Sequence, residues 1–320
     1  MINNDLIGAC KKQASKNNVS LVRVICDFIR ARYNYGFSAE DYFLNSFGVS
    51  MSNISKRDFF SEHRCVSIQH KYNSPQYLSI CDNKVEFAKY FKDFIKHKWL
   101  YPRESSFSEF KLFVTSSPQI IAKPITGVGK GIGVHIYKPS GNLEDDYNFY
   151  KEKDYLLEEF IIQHKDMFFN NTSVNTIRVY TIVDSLGNAH VLKTILRVGV
   201  GGNSTVDSYS QGGVIYPVNL EGGFVEGFGV RKIDQKEIYI HPETDIMMLG
   251  YKIPHWDILI DTILKVANKI SQLQYIGWDI AITQTGVDLI EGNPDAESSL
   301  FERVGNERLF YPKIRKLIGF

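Results

Sequence analysis

Cysteine is scarce in this 320-residue chain, and the four present, Cys10, Cys26, Cys65 and Cys81, form no C-x-x-C pair and have no histidine at a metal-ligand spacing beside them. A disulfide framework and a zinc ribbon are excluded, and reduced, mostly buried thiols are expected. Long apolar runs are also missing: none approaches the roughly 18 to 20 residues of a membrane span. The start MINNDLIGACKKQ lacks the apolar core of a signal peptide, so the chain is expected in the cytoplasm. No low-complexity stretch or internal repeat is present, and 43% hydrophobic residues rule out disorder, collagen and coiled coil. Charge of one sign is lacking as well, with 37 Lys and Arg against 36 Asp and Glu. Residues 1–120 carry 17 basic and 11 acidic side chains without any Lys/Arg cluster, which gives no case for nucleic acid. An oligomer is compatible with this composition.

What is there divides by texture. The first hundred residues read as helices: Leu21 to Arg32 and Lys84 to Trp99 place apolar residues at helical spacing, and Ser38-Ala-Glu-Asp41 opens another segment with a cap. From about Val114 onward β-branched and aromatic runs alternate with Gly turns, in QIIAKPI, GIGVHIY, YLLEEFII, IRVYTIV, AHVLKTILRV, WDIAIT and VDLIEGN. One helix interrupts them, Pro254 to Tyr275, with Leu259, Ile263, Val266, Ile270 and Leu273 as its core stripe and the proline in its first turn. Arg103–Ser106 is the expected linker. The organisation is therefore α+β: a mainly helical region at 1–106, a sheet-rich unit at 107–162 and a second at 163–320.

Two strands near the C-terminus, Asp279–Thr283 and Val287–Asn293, flank Gln284-Thr285-Gly286, a hairpin loop with Gly where a left-handed conformation suits. A three-residue loop would set Thr283 opposite Val287, Ala281 opposite Leu289 and Asp279 opposite Glu291, with Asn293 on the side of Glu291. Opposed carboxylates repel, so the arrangement asks for a positive partner. Two carboxylates and an amide without His or Cys suit Mg²⁺, which completes its shell with water and phosphates. The alternative is a set of polar residues on the solvated face of an exposed hairpin. Upstream, a strand ending in Lys123-Pro124 leads into Gly127-Val-Gly129-Lys130-Gly131-Ile-Gly133 and a second strand, Val134 to Tyr137. Strand–loop–strand order excludes a Walker A loop and a dinucleotide fingerprint, both of which open helices. A flexible hairpin lid remains, with Lys123 and Lys130 supplying charge to phosphates, against the alternative of a plain turn. Tyr155–Ile162 reads as an apolar strand whose edge offers main-chain groups to an adenine, against the alternative of a plain structural strand.

AKP before a Gly-rich hairpin, then LLEEFI, NTIRVYT, GWDI and IEGN, in this order over about Asn83 to Phe301, resembles the ATP-grasp superfamily. SVNTIRVYT and LIEGNPDAESS are most similar to its sugar-transfer-associated or teichuronopeptide-biosynthesis-like branch. The resemblance implies ATP clasped between two sheet-rich subdomains with two Mg²⁺ ions on its phosphates. Asp279, Glu291 and Asn293 then match the metal ligands, Lys123 and Lys84 the phosphate lysines, and Glu158, Glu159, Phe160 and Ile161 the adenine hinge. Asp166, Gly127, Gly129 and Gly131 join the cofactor-binding set. Several amino acid ligases of this superfamily carry an arginine two residues before the first metal aspartate, where this chain has Gly277; Arg178 and Arg197 are the substitutes, with Lys130 as a further catalytic cation.

The resemblance implies a carboxylate–amine ligase working through an acyl phosphate, joining an amine or amino acid to a small or saccharide-linked carboxylate in surface polysaccharide biosynthesis. The same site would serve a kinase acting on a hydroxyl, and a non-catalytic ATP-binding component of an assembly complex is the third reading. The segments Gly199–Asn203 and Gln211–Gly213, with Asp207, and Ser298-Ser299 shape an acceptor pocket or are turns.

Overall fold

The computed structural model describes residues 4–43, 48–126, 132–169, 173–200, 212–231, 236–298, 302, 304–305 and 309–319. Among the described residues seven α-helices precede the first strand, as the sequence texture predicts: α1 Asn4–Lys16, α2 Leu21–Tyr35, α3 Ala39–Phe43, α4 Asn53–Asp58, α5 Glu62–Tyr72, α6 Pro75–Asp82 and α7 Lys84–Tyr90. Capping fixes their ends. The Ser20 side chain accepts from Arg23 N–H at the start of α2, and Ser38 and Asp41 cap each other's backbone N–H groups around α3. Gly36 ends α2 at φ 70°, where a Cβ would lie 2.9 Å from the His63 Cβ, so the turn requires glycine. Inward residues Val24, Phe28 and Ala31 of α2 pack with Phe37, Tyr42 and Phe59 into a separate small core.

The helix expected over Lys84 to Trp99 stops at Tyr90. Residues beyond it are drawn out of helix because Phe94 C=O accepts from Leu289 N–H at 3.2 Å and Asp288 accepts from the N–H groups of Lys96 and His97 at 2.8 and 3.0 Å. The segment then becomes strand β1 (Trp99–Leu100). The expected linker is likewise tied down: Arg103 donates to Lys151 C=O, and Ser106 forms a capping box with Glu109 that opens α8 (Phe107–Ser116).

Four antiparallel strands make the first sheet, in the order β1, β4 (Tyr155–Glu159), β2 (Ile120–Pro124), β3 (His135–Ile136). The strand expected at Val134 to Tyr137 is reduced to its two central residues. Helix α9 (Leu143–Glu152) interrupts the sheet-rich stretch and was absent from the sequence reading, although its signal is present: Asn142 caps it and three acids fill its first turn. β4 lies between two neighbours rather than at an edge, so its main-chain groups are spent on the sheet.

The second sheet has seven antiparallel strands in the order β11 (Gly286–Asn293), β10 (Tyr275–Thr283), β5 (Thr176–Val183), β6 (Ala189–Val198), β7 (Val214–Val218), β8 (Gly229–Arg231), β9 (Glu237–Ile238). Helix α10 (Trp256–Lys269) covers one face through the expected stripe, with Leu259, Ile263 and Val266 fully buried against Ile276, Trp278, Ile280 and Leu289. It is shorter than expected, and Pro254 precedes its cap, His255, instead of occupying the first turn. A short α11 (Tyr311–Leu317) joins the opposite face. No helix among the described residues is long and apolar enough to cross a membrane. The four cysteines are free; Cys10 and Cys65 are buried and Cys26 is exposed.

The β10–β11 hairpin departs from its expected register and then returns to it. The loop is two residues, so Thr283 pairs with Gly286, Ala281 with Asp288 and Ile280 with Leu289, each shifted by one from expectation. Ile290 is then extra, a bulge, and Asp279 pairs with Glu291 as predicted. The bulge has a chemical consequence. Strict alternation would put Glu291 on the same face as Val287 and Leu289, which pack under α10; the extra residue turns it to the face of Asp279.

Candidate functional site

Asp279, Glu291 and Asn293 meet on the face of the second sheet away from α10. The two carboxyl groups lie within hydrogen-bonding reach of each other, and Asn293 Nδ2 donates to Glu291 Oε1 at 3.2 Å. β5 and β6 bring two arginines beside them. Arg178, the direct cross-strand neighbour of Asp279, grips it in a fork: Nε donates to Oδ1, and Nη2 to Oδ2 at 2.7 Å. Arg197, one diagonal away on β6, donates from Nη1 to the same Oδ2 at 2.7 Å. The two guanidinium groups overcome burial and hold the Asp279 carboxyl well below the usual carboxylate range.

This corrects the expectation from repulsion alone. A cation is not needed to let the acids coexist, because Arg178 and Arg197 already compensate Asp279. Glu291 stands differently: burial, then the neighbouring Asp279, push its carboxyl pKa up. Among the described residues no three His, Cys, Asp or Glu side chains group as a metal site. The donors here are two carboxylates and an amide whose hydrogen bonds run through its nitrogen, toward Glu291 and Gly277 C=O. An oxygen-only set with two carboxylates fits Mg²⁺, which leaves the rest of its shell to water and phosphate.

Lysines approach from β2 of the first sheet and from the start of α7. Lys123 at the end of β2 forms an ion pair with Glu158 Oε2 on β4, and both are largely buried. Burial would raise the Glu158 pKa, but Lys123 and then His97 bring it down to about 2. Lys84 opens α7 behind its cap Asn83; burial lowers its pKa, and the charges of Glu291, Lys123 and Glu158 all act on it. Lys123 in turn feels Glu291 and Asp288. The phosphate-lysine candidates and the metal candidates are therefore one electrostatic cluster bridging the two sheets.

Other predicted residues are placed less centrally. Glu159 and Phe160 N–H groups donate to Lys98 and Gln119 C=O at 2.8 and 2.9 Å, so neither faces an open edge, and Glu158 points its carboxylate at Lys123. Ile161 is buried, and Asp166, half-exposed in a 3-10 turn, bonds His164 through its N–H at 3.2 Å. Gly127, Gly129, Lys130 and Gly131 lie outside the described residues, as does most of the Gly199–Gly213 stretch. Sequence reasoning missed His97 and Asp288: His97 Nδ1 lies 2.9 Å from Asp288 Oδ2, and its Nε2 3.8 Å from Glu158 Oε2. Asp288 stands in the VDLIEGN strand, but only the two-residue loop, which pairs it with Ala281, puts it on the face of Asp279.

Gly277 also finds its explanation. A Cβ there would lie 2.6 Å from the Ala296 Cβ and 3.1 Å from Arg178 Cδ, so the space beside residue 277 is filled by the arginine delivered from β5. Gly277→Ala is expected to destabilise the fold by about 1 to 3 kcal/mol through overpacking and to displace Arg178. Thermal melts of the variant check this, and an unchanged melting temperature contradicts the crowding.

Two antiparallel sheets with lysines and acids clustered between their strands are consistent with the ATP-grasp fold. The chain belongs to the sugar-transfer associated ATP-grasp family, whose model matches residues 63–316. Among solved structures, the ATP-grasp ligase PsnB complexed with minimal precursor, Mg and ADP is 15% identical, with TM-score 0.45 over 81% of this chain and 66% of that one. N5-carboxyaminoimidazole ribonucleotide synthetase from Thermotoga maritima is 13% identical, with TM-score 0.45 over 79% and 55%. D-alanine–D-alanine ligase from Bacillus anthracis is 13% identical, with TM-score 0.39 over 72% and 64%. The chain thus spans two thirds or less of each of these structures. No curated protein matches it.

Proposed function

We propose that the protein is an ATP-dependent carboxylate–amine ligase that acts in the cytoplasm, joining an amine or amino acid to a carboxylate, on a uronic acid or amino acid, in surface polysaccharide biosynthesis. The observation that carries this reading is the meeting of Lys84 and Lys123 from one side with Asp279, Glu291 and Asn293 from the other, directly beside the Arg178–Arg197 pair. Membership of a sugar-transfer associated family supports the saccharide setting.

In this reading a carboxylate oxygen attacks the γ-phosphorus and ADP leaves; an amine then attacks the acyl carbon, phosphate leaves and the amine gives up a proton. Such chemistry asks a protein mainly for positioning and charge neutralisation. Lys84 and Lys123 neutralise the phosphates. Glu158 to Ile161 line the adenine end, with Asp166 beyond it. Asp279, Glu291 and Asn293 would hold Mg²⁺, one ion or two, which would neutralise phosphate charge. Arg178 and Arg197, held in place by Asp279, orient the reacting carboxylate through their positive charge. Residues 107–162 act as the lid subdomain and 163–320 as the metal-bearing one, with the helical 1–106 offered to the acceptor.

The test is ADP release with Mg²⁺-ATP over amino acids crossed with uronic acid sugars or sugar nucleotides, followed by product analysis. ADP release that requires the amine and yields an amide is expected. A stable phosphorylated product without amine dependence overturns ligation.

A further inference from the structure

The geometry points to His97 and Asp288 as positioning residues for the nucleotide: a strap at residues 94–98 ties the two sheets together and supplies Glu158 with a second cation, so that Lys123 can turn to phosphate. This inference rests on the ATP reading above.

The strap is bonded to both sheets. Toward the second, Leu289 N–H donates to Phe94 C=O at 3.2 Å, and both Asp288 oxygens accept from the strap, Oδ1 from Lys96 N–H at 2.8 Å and Oδ2 from His97 N–H at 3.0 Å. Toward the first, Glu159 N–H donates to Lys98 C=O at 2.8 Å and Trp99 pairs with Glu158. Between these anchors the His97 ring, 5% exposed, spans from Asp288 on β11 to Glu158 on β4. The contacts run Asp288, His97, Glu158, Lys123, so anions and cations alternate across the gap between sheets.

Alternation matters because buried charges are tolerated only when paired. Lys123 is engaged by Glu158, and a lysine so held can serve a phosphate only if the carboxylate keeps another partner. His97 is that partner. Burial would lower its pKa, but the hydrogen bond to Asp288 and the Glu158 carboxylate 3.8 Å away outweigh this and push it up to about 9, which keeps the ring cationic at neutral pH. The charged groups facing it are Asp288 from β11, Glu158 from β4 and, behind Glu158, Lys123 from β2.

The experiment is calorimetric titration of Mg²⁺-ATP into the full chain, wild type and His97→Gln, from about pH 7 to about pH 10. The neutral variant should bind about tenfold more weakly at pH 7, and the ratio of the two affinities should shrink toward one as pH passes about 9, where wild-type His97 loses its own charge. Lys84 titrates in both proteins and cancels in the ratio. Equal affinity at pH 7, or a ratio that persists to pH 10 as a purely packing histidine would give, overturns the inference. If His97→Gln does not fold, Asp288→Asn carries the same expectations. A wild type that binds no Mg²⁺-ATP would sink the ATP reading itself and this inference with it; binding by the wild type with no change in the variants would overturn this inference alone.

Discussion

Glu291→Gln is expected to lower Mg²⁺-ATP turnover on the order of 10²- to 10³-fold while leaving the fold as stable as before, or more so. Both halves follow from the site. Burial and Asp279 raise the Glu291 pKa, so this acid is uncomfortable as an anion in the unloaded protein. A raised carboxyl pKa gives stability that is full below the ordinary value near 4.5 and is lost as pH rises through the folded one. Glutamine removes that loss, so melts at about pH 8 should show the variant at or above wild type, and at about pH 5 the gap should narrow. What glutamine cannot do is give a cation a charged oxygen. Retained turnover, or a variant that melts well below wild type at pH 8, contradicts this assignment.

Asp279→Asn should show the opposite balance, losing both turnover and stability. Its carboxylate neutralises two guanidinium groups that are about nine-tenths buried, at 11% and 13% exposure, and removing one partner of a buried pair costs about 3 to 5 kcal/mol. The Asp279 pKa is held low, so its contribution is present above the unfolded value of 3.8 and is lost only as pH falls through the folded one. Denaturant titrations at about pH 7 should therefore find a large deficit for Asp279→Asn and none for Glu291→Gln. A cross-strand pair of acids on one hairpin would then separate into an acid whose pKa two arginines hold down and an acid whose pKa burial and its neighbour push up. Equal stability of the two variants would mean that the fork on Asp279 contributes nothing measurable.

Much of this architecture could be read from residue order alone, for identifiable reasons. The α10 stripe declares itself because one buried face imposes a helical period, and the long strands β5, β6, β10 and β11 because burial on both faces makes them near-continuous β-branched and aromatic runs. The pairing of Asp279 with Glu291 was legible too, but through compensating errors: a loop read as three residues instead of two, and an unread bulge at Ile290 that restores the register. No periodicity announces a single extra residue. Arg178 and Arg197 were singled out as anion partners, whereas their grip on Asp279 depends on the strand order β10–β5–β6, which the linear sequence does not carry. The strap at 94–98 was read as helix because its apolar spacing continues that of α7, and only Asp288, nearly two hundred residues away, pulls it straight. Long-range capture of this kind overrides local propensity and leaves no local trace.

The most direct measurement is a crystal structure of the wild-type protein with Mg²⁺ and ADP at saturation. The account predicts a cation about 2.0 to 2.1 Å from oxygens of Asp279 and Glu291, with the nucleotide phosphates between it and Lys84 and Lys123. Nucleotide bound elsewhere, or Asp279 still forked by Arg178 with no cation beside Glu291, would contradict it.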